Sequence, residues 1–260
     1  MKQPTTPILR DIVLVGGGHT HVGVLRNFVM KKMPGVRLTV ICRDTHTPYS
    51  GMLPGYVAGH YQYDDVHIDL RRLAEFADAR FFRSEVVGLD RHTHPVLCSD
   101  RPPVRYDRLS INIGSTPNRT EIGSEGTRTI PVKPIGEFNA RWLALLARAQ
   151  TQPGSMHIAL VGGGAGGVEL ILAMHQRLRH ELSLLDKDPN TLKFSLFTRG
   201  ATILPTHNPS VQRRFIQTLR SRGIALHANA AVIAVDDSGL TTVLSLIHIS
   251  EPTRPNSISY

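Results

Sequence analysis

The chain has 260 residues and a formal net charge of +9 at pH 7, with 41% hydrophobic and 20% charged residues. This composition is typical of a soluble globular protein and excludes an intrinsically disordered chain, and no apolar run reaches the roughly 20 residues of a membrane-spanning helix. The 30 lysines and arginines are dispersed rather than clustered, which favours a basic surface and anionic cofactors over a nucleic-acid partner.

A strand, a glycine-rich turn and a helix are predicted at the start of the chain. A short, mainly apolar strand over residues 11–15 leads into Gly16, Gly17, Gly18 and His19, and the helix is expected over residues 22–33. Gly16 and Gly18 match the first two positions of the G-x-G-x-x-G dinucleotide fingerprint. His21 occupies the third position, with Gly23 two places later. This departure puts close packing of helix on strand in question.

The next strand should carry the ribose contact of a dinucleotide. Residues 36–42 form an apolar run and complete a predicted βαβ unit. An acidic residue is expected at the end of this strand. The chain has Cys42 and Arg43 there, with Asp44 slightly beyond. The ribose contact is therefore Asp44, a backbone group, or absent.

Residues 45–60 are rich in glycine, proline and aromatic residues, and they are predicted to form a loop and a short helix. Open α/β sheets bind ligands at the carboxyl ends of their strands, so Gly51, Met52 and Leu53 are predicted to contact a ligand. A simple crossover connection is the alternative.

An amphipathic helix over residues 68–78 and a strand over residues 79–90 are predicted next. Val87 lies in this strand, near where an adenine ring would lie. After a hairpin, another buried strand ends at Gly114 and Ser115, again at a cofactor edge. A helix within residues 131–149 follows, with Trp142 on its apolar face and Lys133 just before it.

The most regular motif of the chain lies within residues 158–170. An apolar strand ends in Gly162, Gly164 and Gly167 at G-x-G-x-x-G spacing, and a helix containing Glu169 follows. The first glycine permits a sharp turn, the second lets the backbone approach a pyrophosphate, and the third allows close packing of helix on strand. The N–H groups at the start of the helix would face the diphosphate.

The remaining predicted elements are a strand over residues 193–197, a helix over 209–222 and two short strands within 223–235. Arg199 follows the first of these strands, where NAD enzymes place an acid and NADP enzymes a base. This arrangement leans towards NADPH. Cys42 and Cys98 form no C-x-x-C motif, and the 13 histidines show no zinc-ligand spacing, so neither a redox dithiol nor a metal is predicted.

Two dinucleotide fingerprints separated by a segment reading Y-D-x-L-x-I-x-x-G-S-x-P, over residues 106–117, resemble the two-dinucleotide-binding-domain flavoproteins, the pyridine nucleotide-disulfide oxidoreductase superfamily. The resemblance implies an α/β fold of two Rossmann-like FAD/NAD(P)-binding domains with three-layer β-β-α/α-β architecture, the second one truncated. It also implies FAD on the first fingerprint and NADH or NADPH on the second. The stretches G-G-G-H-x-H-V and T-P-Y-S-G-M-L-P-G most resemble the branch of type II NADH dehydrogenase-like proteins and of the flavoprotein module fused to some selenide, water dikinases.

The resemblance also assigns roles to particular residues. Disulfide reductases of the superfamily carry a cysteine pair where this chain has residues 49–54, without cysteine, so disulfide reduction is not expected. In the resembling branch a lysine near Lys133 lies close to the flavin, which makes Lys133 a catalytic candidate that would favour the reduced anionic flavin. A solvated surface lysine is the alternative.

The predicted borders are an FAD-binding domain at residues 1–118, a connecting segment at 119–155, an incomplete NAD(P)-binding domain at 156–243 and a non-native or disordered tail at 244–260. The tail resembles translated read-through of a sequencing adapter, and a linker or a natural tail are the alternatives. We expect a cytoplasmic protein, because residues 1–10 lack a signal-peptide core.

The predicted function is that of an FAD-dependent NAD(P)H oxidoreductase fragment, which passes electrons to a small acceptor such as a quinone. The other hypothesis is a flavin- and nucleotide-binding regulatory module associated with selenophosphate synthesis. A membrane-binding C-terminal segment beyond this chain would favour the quinone reductase through peripheral membrane association, and a kinase-like domain would favour the module. The oligomeric state does not follow from the sequence.

Overall fold

A computed structural model of the chain describes residues 7–93, 95–114, 123–124, 129–133, 135–236, 239–243 and 246–247. The chain divides into two compact units. The first unit comprises Met1–Ser50, Tyr63–Thr116 and Lys133–Gly136, and the second comprises Gly51–Gln62, Pro117–Val132 and Glu137–Tyr260. Residues 51–62 thus group with the second unit, whereas the prediction placed them within residues 1–118.

The elements follow one another along the chain as alternating strands and helices, interrupted by short antiparallel strands. In order they are β1 (Arg10–Val15), α1 (His19–Met30), β2 (Val36–Cys42), β3 (His46–Pro48), α2 (Leu53–Ala58), α3 (Tyr63–Val66), β4 (His67–Asp69), α4 (Leu70–Phe76), β5 (Arg80–Arg83), β6 (Val86–Leu89), β7 (Pro95–Cys98), β8 (Val104–Arg105), β9 (Arg108–Ile111), β10 (Gly123–Ser124), α5 (Ile135–Thr151), β11 (Met156–Val161), α6 (Ala165–Leu184), β12 (Leu192–Phe197), α7 (Pro209–Ser221), β13 (Ile224–His227), β14 (Val232–Val235), β15 (Leu240–Thr242) and β16 (Leu246–Ile247).

The first unit has three layers. Its central parallel sheet has the strand order β5-β2-β1-β9. Leu14 and Val40 on one face pack against α1 and α4, and Val13 and Ile41 on the other face pack against the antiparallel sheet β6-β7-β8. The central strands are apolar throughout because both of their faces are buried. Helices, parallel sheet and antiparallel sheet form the predicted three-layer architecture.

The second unit repeats this arrangement. Its parallel sheet has the order β11-β12-β13, with α6 against β11 and β12 and α7 against β13. A second sheet of order β10-β14-β15-β16 packs on it through Phe197, Val232 and Leu240. The helix α2 packs against α6. The α/β fold class is therefore confirmed.

The prediction of one strand over residues 79–90 is wrong. β5 pairs with β2 in the parallel sheet, whereas β6 pairs with β7 in the antiparallel sheet. The chain changes sheet at Ser84, which is buried, donates its N–H to the Cys42 carbonyl at 3.1 Å and donates its hydroxyl to Asp100. These bonds satisfy the polar groups of the crossing residue, so the apolar pattern continues while the pairing partner changes.

Two helices begin at residues other than those predicted. α1 begins at His19 rather than at residue 22, because Gly18 in an extended conformation caps it directly after the turn. The predicted helix over residues 68–78 is divided, since residues 67–69 pair with β3 as strand β4. α4 then begins where the Asp69 side chain accepts bonds from the N–H groups of Arg71 and Arg72.

The predicted non-native or disordered tail, residues 244–260, is described by the structure only at residues 246–247. Leu246–Ile247 form β16, antiparallel to β15. Residues 248–260 lie outside the described residues, and the adapter origin of the tail stays a prediction. Across the described part of the chain, no helix combines the length and apolar character needed to cross a bilayer.

Candidate dinucleotide-binding sites

The first glycine turn is closed by the residue that follows β9. Gly16 has a φ of +93°, and a side chain there would overlap the Asn112 carbonyl. Asn112 donates its N–H to the Val15 carbonyl at 2.8 Å and accepts the N–H of Gly18 at 3.2 Å. A Cβ at Gly17 would lie 3.2 Å from Cys42 Sγ. Gly16 is therefore needed for the turn itself, independently of any ligand, whereas an added Cβ at Gly17 or Gly18 would meet only neighbouring side chains.

His21 replaces the third glycine of the fingerprint and takes a structural role. Its side chain is 0% exposed, its Nδ1 lies 2.7 Å from the Gly16 carbonyl oxygen, and its Nε2 lies 2.9 Å from Ser110 Oγ. Because a carbonyl only accepts, Nδ1 is the donor of the first bond. The imidazole thus ties α1 to the turn and to β9. Gly23 has no atom within 4 Å of an added Cβ, so it does not take over the role of the third glycine.

The start of α1 offers hydrogen-bond donors to an anion. The N–H groups of the first turn of a helix have no intrahelical acceptor, and α1 has neither an acidic residue in that turn nor a side-chain cap. His19 is exposed there, with its ring 4.6 Å from that of Tyr49. The positive end of the helix dipole at this position is suited to a diphosphate.

The end of β2 holds the three predicted ribose-edge residues. Cys42 is half-buried, and burial raises the pKa of its thiol, so it is protonated and unsuited to nucleophilic chemistry at neutral pH. Arg43 and Asp44 are exposed and face each other, with their charged atoms 3.4 Å apart. Asp44 therefore has a carboxylate accessible to solvent at the carboxyl edge of the sheet.

The other predicted FAD contacts are spread over several elements. Gly51 and Met52 lie in a short 3₁₀ turn, and Leu53 begins α2 as a buried residue, all in the second unit. Val87 is exposed on β6. Gly114 follows β9 with a φ of +78° and open space around it, and Ser115 lies outside the described residues. The predicted contacts of these residues with FAD stay predictions.

Lys133, the predicted catalytic residue, lies before α5. It is exposed and belongs to the first unit. Trp142 on α5 is 3% exposed, as predicted for a core residue. The electrostatic role of Lys133 towards a flavin stays a prediction.

The glycines of the second turn are of two kinds: some allow close packing and others face open space. Gly162 has a φ of +127° and donates its N–H to the Phe197 carbonyl at 2.8 Å. A Cβ at Gly167 would overlap the Gly162 carbonyl oxygen, whereas at Gly164 or Gly166 it would meet no atom within 4 Å. Gly167 therefore allows close packing of α6 on β11, while Gly164 and Gly166 leave space in front of the first turn of α6 for a ligand.

The loop after β12 closes on this second turn. A Cβ at Gly163 would lie 2.7 Å from the Thr198 side chain, and the Gly163 carbonyl accepts the N–H of Leu204 at 2.7 Å. Arg199 lies in this loop between Thr198 and Leu204 and is exposed at the carboxyl edge of the sheet. Glu169 is exposed on α6. Both charged residues are accessible at the edge where the glycine turn lies.

Sequence reasoning missed three residues that build the turns: Asn112, His21 as a bonding group, and Leu204. The role of His21 could have been predicted, since a histidine at a glycine position of the fingerprint indicates a specific structural role. Asn112 and Leu204 act mainly through backbone groups, which the identity of a side chain does not reveal. Leu204 has a φ of +53°, an uncommon conformation for leucine that no sequence pattern indicates.

Comparisons with known proteins identify a family and relatives of this chain. A model of the family described as pyridine nucleotide-disulphide oxidoreductase matches residues 10–251. The external alternative NAD(P)H-ubiquinone oxidoreductase B3, mitochondrial, of Arabidopsis thaliana is 22% identical over 256 residues, which are 89% of this chain and 43% of that protein.

Solved structures show the same fold. NDH2 from Plasmodium falciparum in complex with NADH superposes with a TM-score of 0.74 at 19% identity, over 91% of this chain and 52% of that chain. The sulfide:quinone oxidoreductase from Aquifex aeolicus has a TM-score of 0.64 at 18% identity, over 90% of this chain and 54% of that chain. The chain thus spans about half the length of these similar proteins.

Proposed function

The chain belongs to the pyridine nucleotide-disulphide oxidoreductase family, and on that premise we propose that it binds FAD at its first glycine turn and NADH or NADPH at its second, as part of an NAD(P)H oxidoreductase. The observation that carries the proposal is the duplication of one geometry. Each unit places a glycine turn and a helix start at the carboxyl end of its first parallel strand. This edge is where doubly wound sheets bind dinucleotides.

The first turn suits the diphosphate of FAD. The N–H groups at the start of α1 would donate to it, and the turn is held in shape by Asn112 and His21. Asp44 would accept from a ribose hydroxyl, and Gly114 leaves space beside the turn. When bound, FAD supplies the redox chemistry, taking a hydride from a nicotinamide and releasing two electrons to an acceptor.

The second turn suits the diphosphate of a nicotinamide cofactor. Gly164 and Gly166 leave space that a side chain would fill, and the 20-residue helix α6 begins there without an acidic residue in its first turn. Arg199 is exposed at the end of β12, a position suited to a 2′-phosphate. This residue favours NADPH over NADH.

We propose a quinone as the electron acceptor. The support comes from similar proteins, whose names include an NAD(P)H-ubiquinone oxidoreductase and a sulfide:quinone oxidoreductase. The chain has two cysteines, Cys42 and Cys98, and burial raises the pKa of Cys42. The absence of a paired dithiol in the sequence supports an acceptor other than a disulfide.

Amide hydrogen exchange of the purified chain with one ligand at a time tests the two assignments. FAD should slow exchange at residues 16–22 and 112–114, and NADPH should slow exchange at residues 162–168 and 198–204. Adenosine serves as the control, because it lacks the diphosphate that the helix starts would bind, and it should protect neither helix start. Protection of the second turn by FAD, or of neither turn by either dinucleotide, would refute the proposal.

A further inference from the structure

A cavity of about 650 Å³ lies in the second unit at the amino-terminal edge of its parallel sheet. His157, Lys193 and Ala225 line it, and each is the second residue of its strand. Gly162 comes five residues after His157 along β11, roughly 16 Å away at the rise of a strand. The cavity is therefore at the opposite edge of the sheet from the glycine turn.

The lining of this cavity includes cationic side chains and no carboxylate. Arg179, Lys193 and Arg222 are among its lining residues, which include no aspartate or glutamate. The guanidinium of Arg179 donates to the Pro189 carbonyl at 3.0 Å and to Asn190 Oδ1 at 3.1 Å, both uncharged acceptors. Over the described part of the chain, none of the three cations forms an ion pair with a carboxylate. Three positive charges therefore remain uncompensated around one cavity.

His175 lies beside these charges with an unused polar atom. It is 9% exposed, its ring meets that of Phe194 edge-on at 5.0 Å, and its Nδ1 has no hydrogen-bond partner among the described residues. Burial lowers the pKa of His175, and the charges of Arg179 and Arg222 lower it further, which outweighs the opposite effect of a hydrogen bond with the Arg222 backbone. The imidazole is therefore neutral at pH 7, in a positive local potential.

His157 also lines the cavity. Its Nε2 lies 2.8 Å from Ser195 Oγ. Burial lowers the pKa of His157, and the charge of Lys193 contributes in the same direction. The three cations, with two neutral imidazoles beside them, produce a positive potential that would stabilise a bound anion.

We propose that this cavity binds a small organic molecule carrying a phosphate group. Arg179, Lys193 and Arg222 would contact the phosphate, since charge-assisted bonds from guanidinium and ammonium groups are the common means of holding it. Phe194 and Ala225 line the same cavity and would contact the carbon part. The volume lies within the range of about 300–1,000 Å³ of small-molecule sites and exceeds what inorganic phosphate alone would fill.

Calorimetric titration of the purified chain with phenyl phosphate tests this site. The double variant Lys193→Gln/Arg222→Gln should bind about tenfold or more weakly, because it loses two charged contacts. The matched control is Arg213→Gln/Arg220→Gln, which removes the same charge from exposed positions of α7 and should bind within about twofold of the parent. Lys193→Arg keeps the charge and should retain most of the affinity.

Each outcome decides the proposal. Equal losses in both double variants would show unspecific attraction to a basic chain, and no loss in either would place phosphate elsewhere, such as at the start of α6. Benzyl alcohol, which lacks the phosphate, should not bind, and inorganic phosphate should bind more weakly than phenyl phosphate. Equal affinity for phenyl phosphate and inorganic phosphate would contradict the proposal that the ligand carries an organic group. Unchanged circular dichroism and melting temperature of each variant confirm that affinity, and not folding, has changed.

Discussion

The third position of the fingerprint is His21 in the first turn and Gly167 in the second. At the second turn Gly167 packs directly on the Gly162 carbonyl, and at the first turn His21 donates to the Gly16 carbonyl at 2.7 Å. The histidine keeps helix and turn together through a bond where the glycine does so through close approach. Its second bond to Ser110 adds β9 to the same connection.

Replacement of His21 by leucine should lower the free energy of unfolding by about 1–3 kcal/mol, because it leaves the buried Gly16 carbonyl without this donor. FAD affinity should fall with it, since the turn loses its connection to β9. Urea denaturation measures the first effect and flavin fluorescence titration the second. The control is His180→Leu at an exposed position of α6. Equal changes in both variants would show that the bonds of His21 contribute nothing.

Alanine substitutions distinguish a glycine needed for packing from one needed for a ligand. Gly167→Ala should lower the unfolding free energy by about 1–3 kcal/mol, because its Cβ overlaps the Gly162 carbonyl. Gly164→Ala should change it by less than about 0.5 kcal/mol yet weaken NADPH binding roughly tenfold, since its Cβ enters the open space. Gly23→Ala, also in open space but on α1, is the control and should leave NADPH binding unchanged. A stable Gly167→Ala, or unaltered NADPH binding by Gly164→Ala, contradicts this division.

The short helix α4 supports the first turn, although none of its residues belongs to the fingerprint. Leu70 donates its N–H to the Thr45 carbonyl at 2.8 Å, and its side chain fills the space beside Gly17. Asp69 caps this helix, and the N–H of Arg72, with that of Arg71, holds the pKa of the Asp69 carboxyl below its ordinary value of 3.8, against the effect of burial. The bonds at the start of α4 therefore favour the ionised form of Asp69.

Asp69→Ala should destabilise the chain by about 1 kcal/mol at neutral pH, and Asp69→Asn by much less, because asparagine also caps helices. A carboxyl with a lowered folded-state pKa stabilises above its unfolded pKa and loses that contribution as the pH falls through the folded value. The difference between the parent and Asp69→Ala should therefore be constant above about pH 5 and shrink below 3.8. Thermal melts across this range measure it. A difference that grows on acidification would contradict the role of the charge.

The sequence predicts elements best where the local pattern and the pairing agree. β2 runs over Val36–Cys42 as predicted, since it is buried on both faces and bounded by turn residues. The stretch from Arg80 to Leu89 is one that the local pattern does not predict correctly. Its apolar pattern is continuous, but the change from one sheet to another at Ser84 depends on bonds to Cys42 and Asp100, residues distant in sequence.

Over the whole chain, duplication explains why the fold was predictable and the sites only in part. Two fingerprints indicate two units of the same kind, and each unit has helices, a parallel sheet and a second sheet, which is antiparallel in the first unit and mixed in the second. The glycines of both turns were predictable because their spacing reflects backbone geometry. The contributions of Asn112 and Leu204 were not, because they come from backbone groups that long-range folding brings to the turns.

We propose that the first unit binds FAD and that the nicotinamide cofactor bound by the second unit reduces it. The most direct test is to load the purified chain with FAD, remove oxygen, add NADH or NADPH, and record the visible absorbance of the flavin. The flavin absorbance should bleach, with NADPH at least as effective as NADH and the oxidised nucleotides without effect. Flavin that stays oxidised in excess NADPH, while hydrogen exchange shows both nucleotides bound, would contradict it.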